Sequence, residues 1–224
     1  MSGRLSLRIA MSFVGIALAL PMTLAGQESS DMTHDGLTHV ERSRVDALYT
    51  LPDADFSAYN SFIILEPYVA FRKDWQRDIN RNASASRRVS SDDMERIKLG
   101  MTELFLEVFT EELEDGDYSV VGEPGDNVMI VRPAIIDLDV AAPDVASAGR
   151  SRNYVTSAGS ARVYIEFFDS VTGQILARAV DFQRARDTGS FQWATSVSNR
   201  SDARAVLRRW ADMLVDALDE VHDK

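Results

Sequence analysis

Tyr118 to Gln183 decides the fold: Tyr118-Ser119-Val120-Val121, the turn Gly122-Glu123-Pro124-Gly125, the apolar run VMIVRPAIIDLDV at residues 128–140, and then Ala161–Asp169 and Gln174–Gln183 joined by Ser170-Val171-Thr172-Gly173. Val163, Ile165 and Phe167 alternate with Arg162, Tyr164 and Glu166, the period of a half-buried strand. Asp169 and Gly173 suit a four-residue hairpin turn, and Leu176 to Phe182 returns with Arg178 and Asp181 available for cross-strand charge pairs. Pro133 removes a ladder donor from the long run, which predicts a bulge or an edge position there. Ile136, Leu138 and Val140 then face one way, and Asp137 and Asp139 the other.

Outward from this stretch, helices are expected on both sides. Ser90/Ser91 with Asp92-Asp93 is a helix start, and Met94, Ile97, Met101, Leu104, Phe105, Val108 and Leu113 recur at three- and four-residue steps. Gly116 is the expected left-handed C-cap. Ser201-Asp202 opens a last helix whose apolar face runs Val206, Leu207, Trp210, Met213, Leu214, Ala217, Leu218 and Val221. Ser61-Phe62-Ile63-Ile64-Leu65, stopped by Glu66-Pro67, reads as a central strand. The segments 141–160, with Tyr154 as its one large side chain, and 184–200, with Phe191 and Trp193, read as irregular loops. The expectation is one α+β domain over residues 51–224. It has a mainly antiparallel sheet of about five strands, covered on one face by two long amphipathic helices. Its core includes Phe62, Ile64, Ile97, Met101, Phe105, Ile136, Leu138, Ile165, Phe167, Trp210 and Leu214.

Composition narrows the function. The 224 residues carry a formal charge of −11, which argues against nucleic acid as a partner. Cysteine is absent, excluding disulfides, thiolate metal sites and a cysteine nucleophile. His34, His39 and His222 stand in no metal-ligand spacing. No nucleotide, zinc-protease or serine-hydrolase motif occurs, and no cofactor is implied.

Residues 1–25 read as an export signal. Arg4 and Arg8 precede the apolar Ile9–Leu20, Pro21 breaks it, and Thr23-Leu24-Ala25 offers small residues for cleavage before Gly26. The apolar run is too short for a bilayer of roughly 30 Å. The mature chain is therefore expected in the periplasm or at the outer membrane through protein contacts, without a transmembrane helix. Leu24-Ala25-Gly26 begins like a lipobox, but Gln27 stands where the thiol would, so no lipid anchor can form. Residues 26–50 read as a flexible leader.

Two surfaces invite a function. Arg72, Lys73, Arg77, Arg81, Arg87 and Arg88 face only Asp74 and Asp78, with Trp75 among them. They suit either a solvated loop or an anionic membrane surface bound through Arg72–Arg88. Trp75, Arg77, Arg81, Tyr154, Phe191 and Trp193 are the candidate partner contacts. Asp137 and Asp139, with Glu166 and Asp181, form a weaker acidic cluster, fit for a metal or an acid/base pair if no arginine neutralises it.

Several segments belong together: Phe56-Ser57-x-Tyr59, Leu65-Glu66-Pro67-Tyr68-Val69-x-Phe71, Asp117-Tyr118-x-Val120-Val121-x-x-Pro124-Gly125, Val131-Arg132-x-Ala134-Ile135-x-Asp137, Asp169-Ser170-x-Thr172-Gly173-x-x-Leu176-Ala177 and Trp210-Ala211. In this order they resemble a bacterial family, domain of unknown function 3313, and the resemblance spans residues 50–222. It implies a small exported envelope protein, commonly a lipoprotein, with no established activity and no catalytic residues to carry over. Gln27 departs from the lipoprotein members. The reading at this point is a non-catalytic binding or accessory module for an envelope protein or surface. The alternatives are a carboxylate- or metal-dependent hydrolase on the acidic strand face, and binding to an anionic membrane.

Overall fold

The computed structural model describes residues 32–81, 83–85, 88–140, 153–155, 159–184, 192–194 and 196–223. In chain order the strands and α-helices are β1 (Thr38–His39), β2 (Ala47–Thr50), β3 (Ser61–Ile64), β4 (Tyr68–Phe71), α1 (Trp75–Asn80), α2 (Ser91–Asp115), β5 (Ser119–Val120), β6 (Val128–Asp139), β7 (Asn153–Val155), β8 (Ser160–Asp169), β9 (Ile175–Arg184), β10 (Gln192–Ala194) and α3 (Ser196–His222).

The class is α+β, but the sheet corrects the expectation of about five mainly antiparallel strands. The main sheet has eight strands in the order β1-β2-β9-β8-β6-β3-β5, with β4 also on β6. It is mixed: β3 and β4 run parallel to β6, and β5 parallel to β3. Parallel neighbours need a long crossover, and α2, which lies between β4 and β5 in the chain, supplies it for the pairs β3–β5, β3–β6 and β4–β6. The missing strands are short. Residues 32–50, expected within the leader, hold β1 and β2, and β2 pairs antiparallel with β9 through Ala47↔Val180 and Tyr49↔Arg178.

Pro133 sits inside the sheet, neither at an edge nor at a bulge. It is opposite Ile165 of β8 on one side. On the other side Val131 C=O accepts from Leu65 N–H (2.9 Å), so the polar backbone of Val131 faces β3. Two residues on, the proline nitrogen faces that same side, where the parallel partner changes from β3, ending at Ile64, to β4, beginning at Tyr68. No donor is demanded at the junction. The irregularity falls four residues later. Asp137 adopts φ +53, and the register shifts against β8 between Ile136 and Asp139. One extra residue turns the strand over, so Ile135 and Leu138 are buried while Ile136, an expected core residue, is only half-buried.

The helix ends follow local chemistry. Ser90 accepts from Asp93 N–H while the Asp93 carboxylate accepts from Ser90 N–H (2.8 Å), a reciprocal capping box. At the other end Asp117, not Gly116, is left-handed, with φ +65. Its N–H donates to Glu114 C=O, and Tyr118 N–H to Leu113 C=O (2.9 Å), closing a Schellman turn. Gly116 serves packing instead: a Cβ there would lie 2.8 Å from Val215 Cγ1 of α3.

The core lies between one sheet face and α2 and α3. Leu104, Phe105, Val108, Phe109 and Leu113 meet Phe62, Met129, Val131, Ile135, Val163, Ile165 and Phe167, with Leu207, Trp210, Ala211 and Leu218 from α3. Phe105 and Phe109, both fully buried, stack at 3.9 Å. Each such side chain contributes about 1.5–3 kcal/mol by leaving water. Ile64, Ile97, Met101 and Leu214 pack around the rim half-buried. Between the two helices Arg200, Arg204 and Arg208 of α3 pair with Glu107, Glu111 and Glu112 of α2. Among the described residues no helix is long and apolar enough to cross a membrane.

Candidate functional site

The sheet face turned away from α2 and α3 carries the charge. Directly opposed residues on neighbouring strands share a face, and the register sets His39, Tyr49, Arg178, Glu166 and Arg132 in one row across β1, β2, β9, β8 and β6. Glu166 is its centre and is buried. It accepts from Arg132 Nε (3.0 Å) and Nη2, from Arg178 Nε (3.1 Å) and Nη2 (2.8 Å), and from the Tyr164 hydroxyl (3.0 Å). Burial alone would raise its carboxyl, and these hydrogen bonds outweigh burial and hold it below the usual range. Arg178 is pulled the opposite way: burial lowers it, and Asp35 and Glu166 together raise it well above an ordinary guanidinium. The arginines also lie over aromatic rings, Arg132 over Phe168 at 4.7 Å and Arg162 over Phe182 at 5.5 Å.

The four candidate acids do not converge. Asp181 lies on the opposite, helix-covered face, buried, and accepts from Trp210 Nε1 (2.8 Å), Gln183 Nε2 (2.6 Å) and Asp46 N–H (3.2 Å). The left-handed backbone at Asp137 separates the D-x-D pair. Asp137 turns toward Arg162 (3.6 Å) on the β8 side, and Asp139 accepts from Arg72 Nε (2.8 Å) on the β4 side. Among the described residues no group of three or more His, Asp and Glu is placed to hold a metal ion.

Three cations of the basic segment, Arg72, Arg77 and Arg81, are paired with nearby acids. Arg72 pairs with both Asp78 (2.9 Å) and Asp139, Arg77 with Asp74 (3.1 Å), and Arg81 with Asp78 (3.1 Å). The Arg72 hydrogen bond, with the charges of Arg77 and Arg81, holds the Asp78 carboxyl below its ordinary value. Trp75 is buried, stacked on Phe71 at 4.2 Å, and its Nε1–H donates to Val140 C=O (3.2 Å). It anchors α1 to the end of β6 and offers no face to a partner. Trp193 and Tyr154 are brought opposite each other in the antiparallel pair β7–β10. Phe191, Arg87 and residues 1–25 lie outside the described residues.

Three of the quoted motifs, those holding Tyr59, Gly125 and Asp169-Ser170, meet at one end of the sheet. Tyr59 donates to Asp169 (2.9 Å), and Ser170 Oγ bonds both N–H and C=O of Gly125 (3.1 and 3.0 Å). Asp169 Oδ1 also accepts from Thr172 N–H (2.6 Å), capping the β8–β9 turn, while Gly173 takes φ +69. The His222 ring donates from Nε2 to Tyr59 C=O (3.0 Å), tying the end of α3 to the same place. Burial, with the bond to Asp169, pushes the Tyr59 hydroxyl up to about 12, so it remains a donor.

A family model described as "Protein of unknown function (DUF3313)" matches residues 28–214. The chain belongs to the DUF3313 family. Among curated proteins no match was found. Of solved structures, this DUF3313 protein is similar to the PelC dodecamer from Paraburkholderia phytofirmans, at 8% identity and a TM-score of 0.38, over 75% of this chain and 95% of that one. It is also similar to a DUF4136 family protein from Bacteroides thetaiotaomicron, at 10% identity and a TM-score of 0.35, over 81% and 97% of the two chains.

Sequence reasoning missed the acid that joins the charged row from outside the strands. Asp35 pairs with Arg178, on the far side of that guanidinium from Glu166. The signal was Asp35-Gly36, a turn dipeptide inside what reads as a leader.

Proposed function

We propose that this DUF3313 protein is an exported envelope protein that works as a non-catalytic binding or accessory module. The observation that carries the reading is Glu166, the one buried acid of the charged face among the described residues, held between two guanidiniums. A general acid or base needs a pKa near working pH and an accessible proton. A metal ligand needs lone pairs free of competing cations. Glu166 meets neither requirement, and Asp137 and Asp139 turn to separate arginines. Export rests on Arg4, Arg8, Ile9–Leu20, Pro21 and Thr23-Leu24-Ala25, and Gln27 denies the mature chain a lipid anchor.

Two measurements test this. N-terminal sequencing of the protein from its native cell envelope is expected to begin at Gly26; a product beginning at Met1 in the cytosol removes the export half. Calorimetric titration of the purified protein with Ca²⁺ is expected to show no saturable binding. Saturation that Asp139→Asn abolishes would establish the metal-dependent reading instead.

A further inference from the structure

Asp35 belongs to no strand or helix, yet it completes an alternating chain of charge, Arg132–Glu166–Arg178–Asp35. Its own turn is built to present it. Thr33 N–H donates to Leu37 C=O (2.8 Å), Leu37 N–H donates to Thr33 Oγ1 (3.0 Å), Thr33 Oγ1 also bonds the Asp35 carboxylate, and Gly36 takes φ +83. Leu37 is fully buried, outside the core shared with α2 and α3. Beyond it Thr38 and His39 pair with β2, Val40 N–H donates to Leu48 C=O (2.8 Å), and the His39 ring meets Tyr49 at 5.2 Å. Among the described residues the strap Met32–Val40 is thus held by one ion pair, one buried apolar side chain, one ring contact and a short ladder to β2.

The receiving side is more firmly built than the strap. Arg178 has a 14% exposed side chain, and Glu166 engages its Nε and Nη2. Nη1 and the outer side of Nη2 are left for Asp35. A planar guanidinium fixed along one edge by a buried carboxylate, with its other edge forward, has the geometry that recognises a second carboxylate. Take Asp35 away and the row holds two guanidiniums against one carboxylate, a local cationic spot in a chain of net charge −11.

We propose that Arg178 is a carboxylate-recognition site that Asp35 fills in cis, with the Met32–Val40 strap a displaceable plug. The trans occupant is an acidic peptide segment of a partner, presenting Asp on a tight turn followed by an apolar side chain. The site rests on the binding-module reading above and gives that module its ligand chemistry.

The test uses the full chain carrying Asp35→Asn and Leu37→Ala, which frees the strap, and two labelled peptides of residues 32–40, one native and one with Asn in place of Asp35. Fluorescence anisotropy is expected to show the native peptide binding this double variant at least ten-fold more tightly than the Asn peptide. The unaltered chain should bind the native peptide at least ten-fold more weakly than the double variant does, because the tethered strap competes at high effective concentration. Equal affinity for the two peptides, no binding, or equal binding by the unaltered chain overturns the proposal. If the double variant does not melt cooperatively, amide exchange on Asp35→Asn alone decides. Thr38 and Val40 should exchange at least ten-fold faster with β6 and β8 unchanged, and unchanged exchange in the strap overturns it. The two readings fail separately. Turnover by the native chain would sink the binding module without altering the peptide difference, and equal peptide affinities would sink the plug without touching the module.

Discussion

Replacing Glu166 by alanine tests whether the charged row is scaffold or machinery. The carboxylate accepts from both guanidiniums and from Tyr164, and its side chain is 7% exposed. Arg132 is 58% exposed and returns to water once released, so its share of the loss is small. Arg178, at 14%, cannot rehydrate fully, although it keeps Asp35. Breaking a buried pair from one side typically costs about 3–5 kcal/mol, and the surviving Asp35 contact brings Glu166→Ala below that range, to about 2–3 kcal/mol. With a urea slope of about 2–3 kcal/mol per molar, the unfolding midpoint should fall by about 1 M. Glu166→Leu combined with Arg178→Met removes both buried charges and leaves only the more exposed Asp35 without its cation; that ion pair contributes about 1 kcal/mol, so the cost should stay within about 1–2 kcal/mol. A midpoint for Glu166→Ala unchanged within about 0.3 M, or raised as when a destabilising catalytic acid is removed, would refute the reasoning. So would a double variant weaker than the single one.

Three further outcomes follow from the packing and the charges. Phe105→Ala, emptying a fully buried site stacked on Phe109, should cost about 3–5 kcal/mol by urea unfolding. Gly116→Ala should destabilise by about 1–3 kcal/mol, because the new methyl meets Val215 Cγ1 at 2.8 Å although its backbone has an ordinary negative φ. The Arg178 hydrogen bond, then that of Thr33, lowers the Asp35 carboxyl from 3.8 to about 2. Its stabilisation is therefore complete above about pH 5 and lost as pH falls through about 2. Solvent at the strap limits it to about 1 kcal/mol. The stability gap between the native chain and Asp35→Asn, measured across that range, should close toward pH 2; a constant gap would show that the ion pair contributes nothing.

Much of the fold was legible because it is written in local patterns. Alternation identified the β8–β9 hairpin, and Asp169 and Gly173 marked its turn. Ser90 and Asp93 marked the start of α2, and the three- and four-residue spacing marked its buried side. What failed had no local signature. β1, with two residues, is too short to show a period, and β4 follows directly on Glu66-Pro67. Gly116 suggested a left-handed cap, but the position needs a missing side chain for the approach of α3, a demand made by a residue almost a hundred positions away.

By itself the sequence determined the α+β class, the two long helices, the hairpin and the family, all of which depend on neighbours along the chain or on ordered short motifs. Only the tertiary structure decided that the sheet is mixed and eight-stranded, since pairing between β3, β4 and β6 depends on where α2 returns the chain. It also decided that Asp137 and Asp139 diverge, that Asp181 is buried beneath Trp210, and that Asp35 reaches Arg178 across 143 residues. Which carboxylate meets which guanidinium is set by register and by one left-handed residue, and neither quantity is encoded in the spacing of the charges.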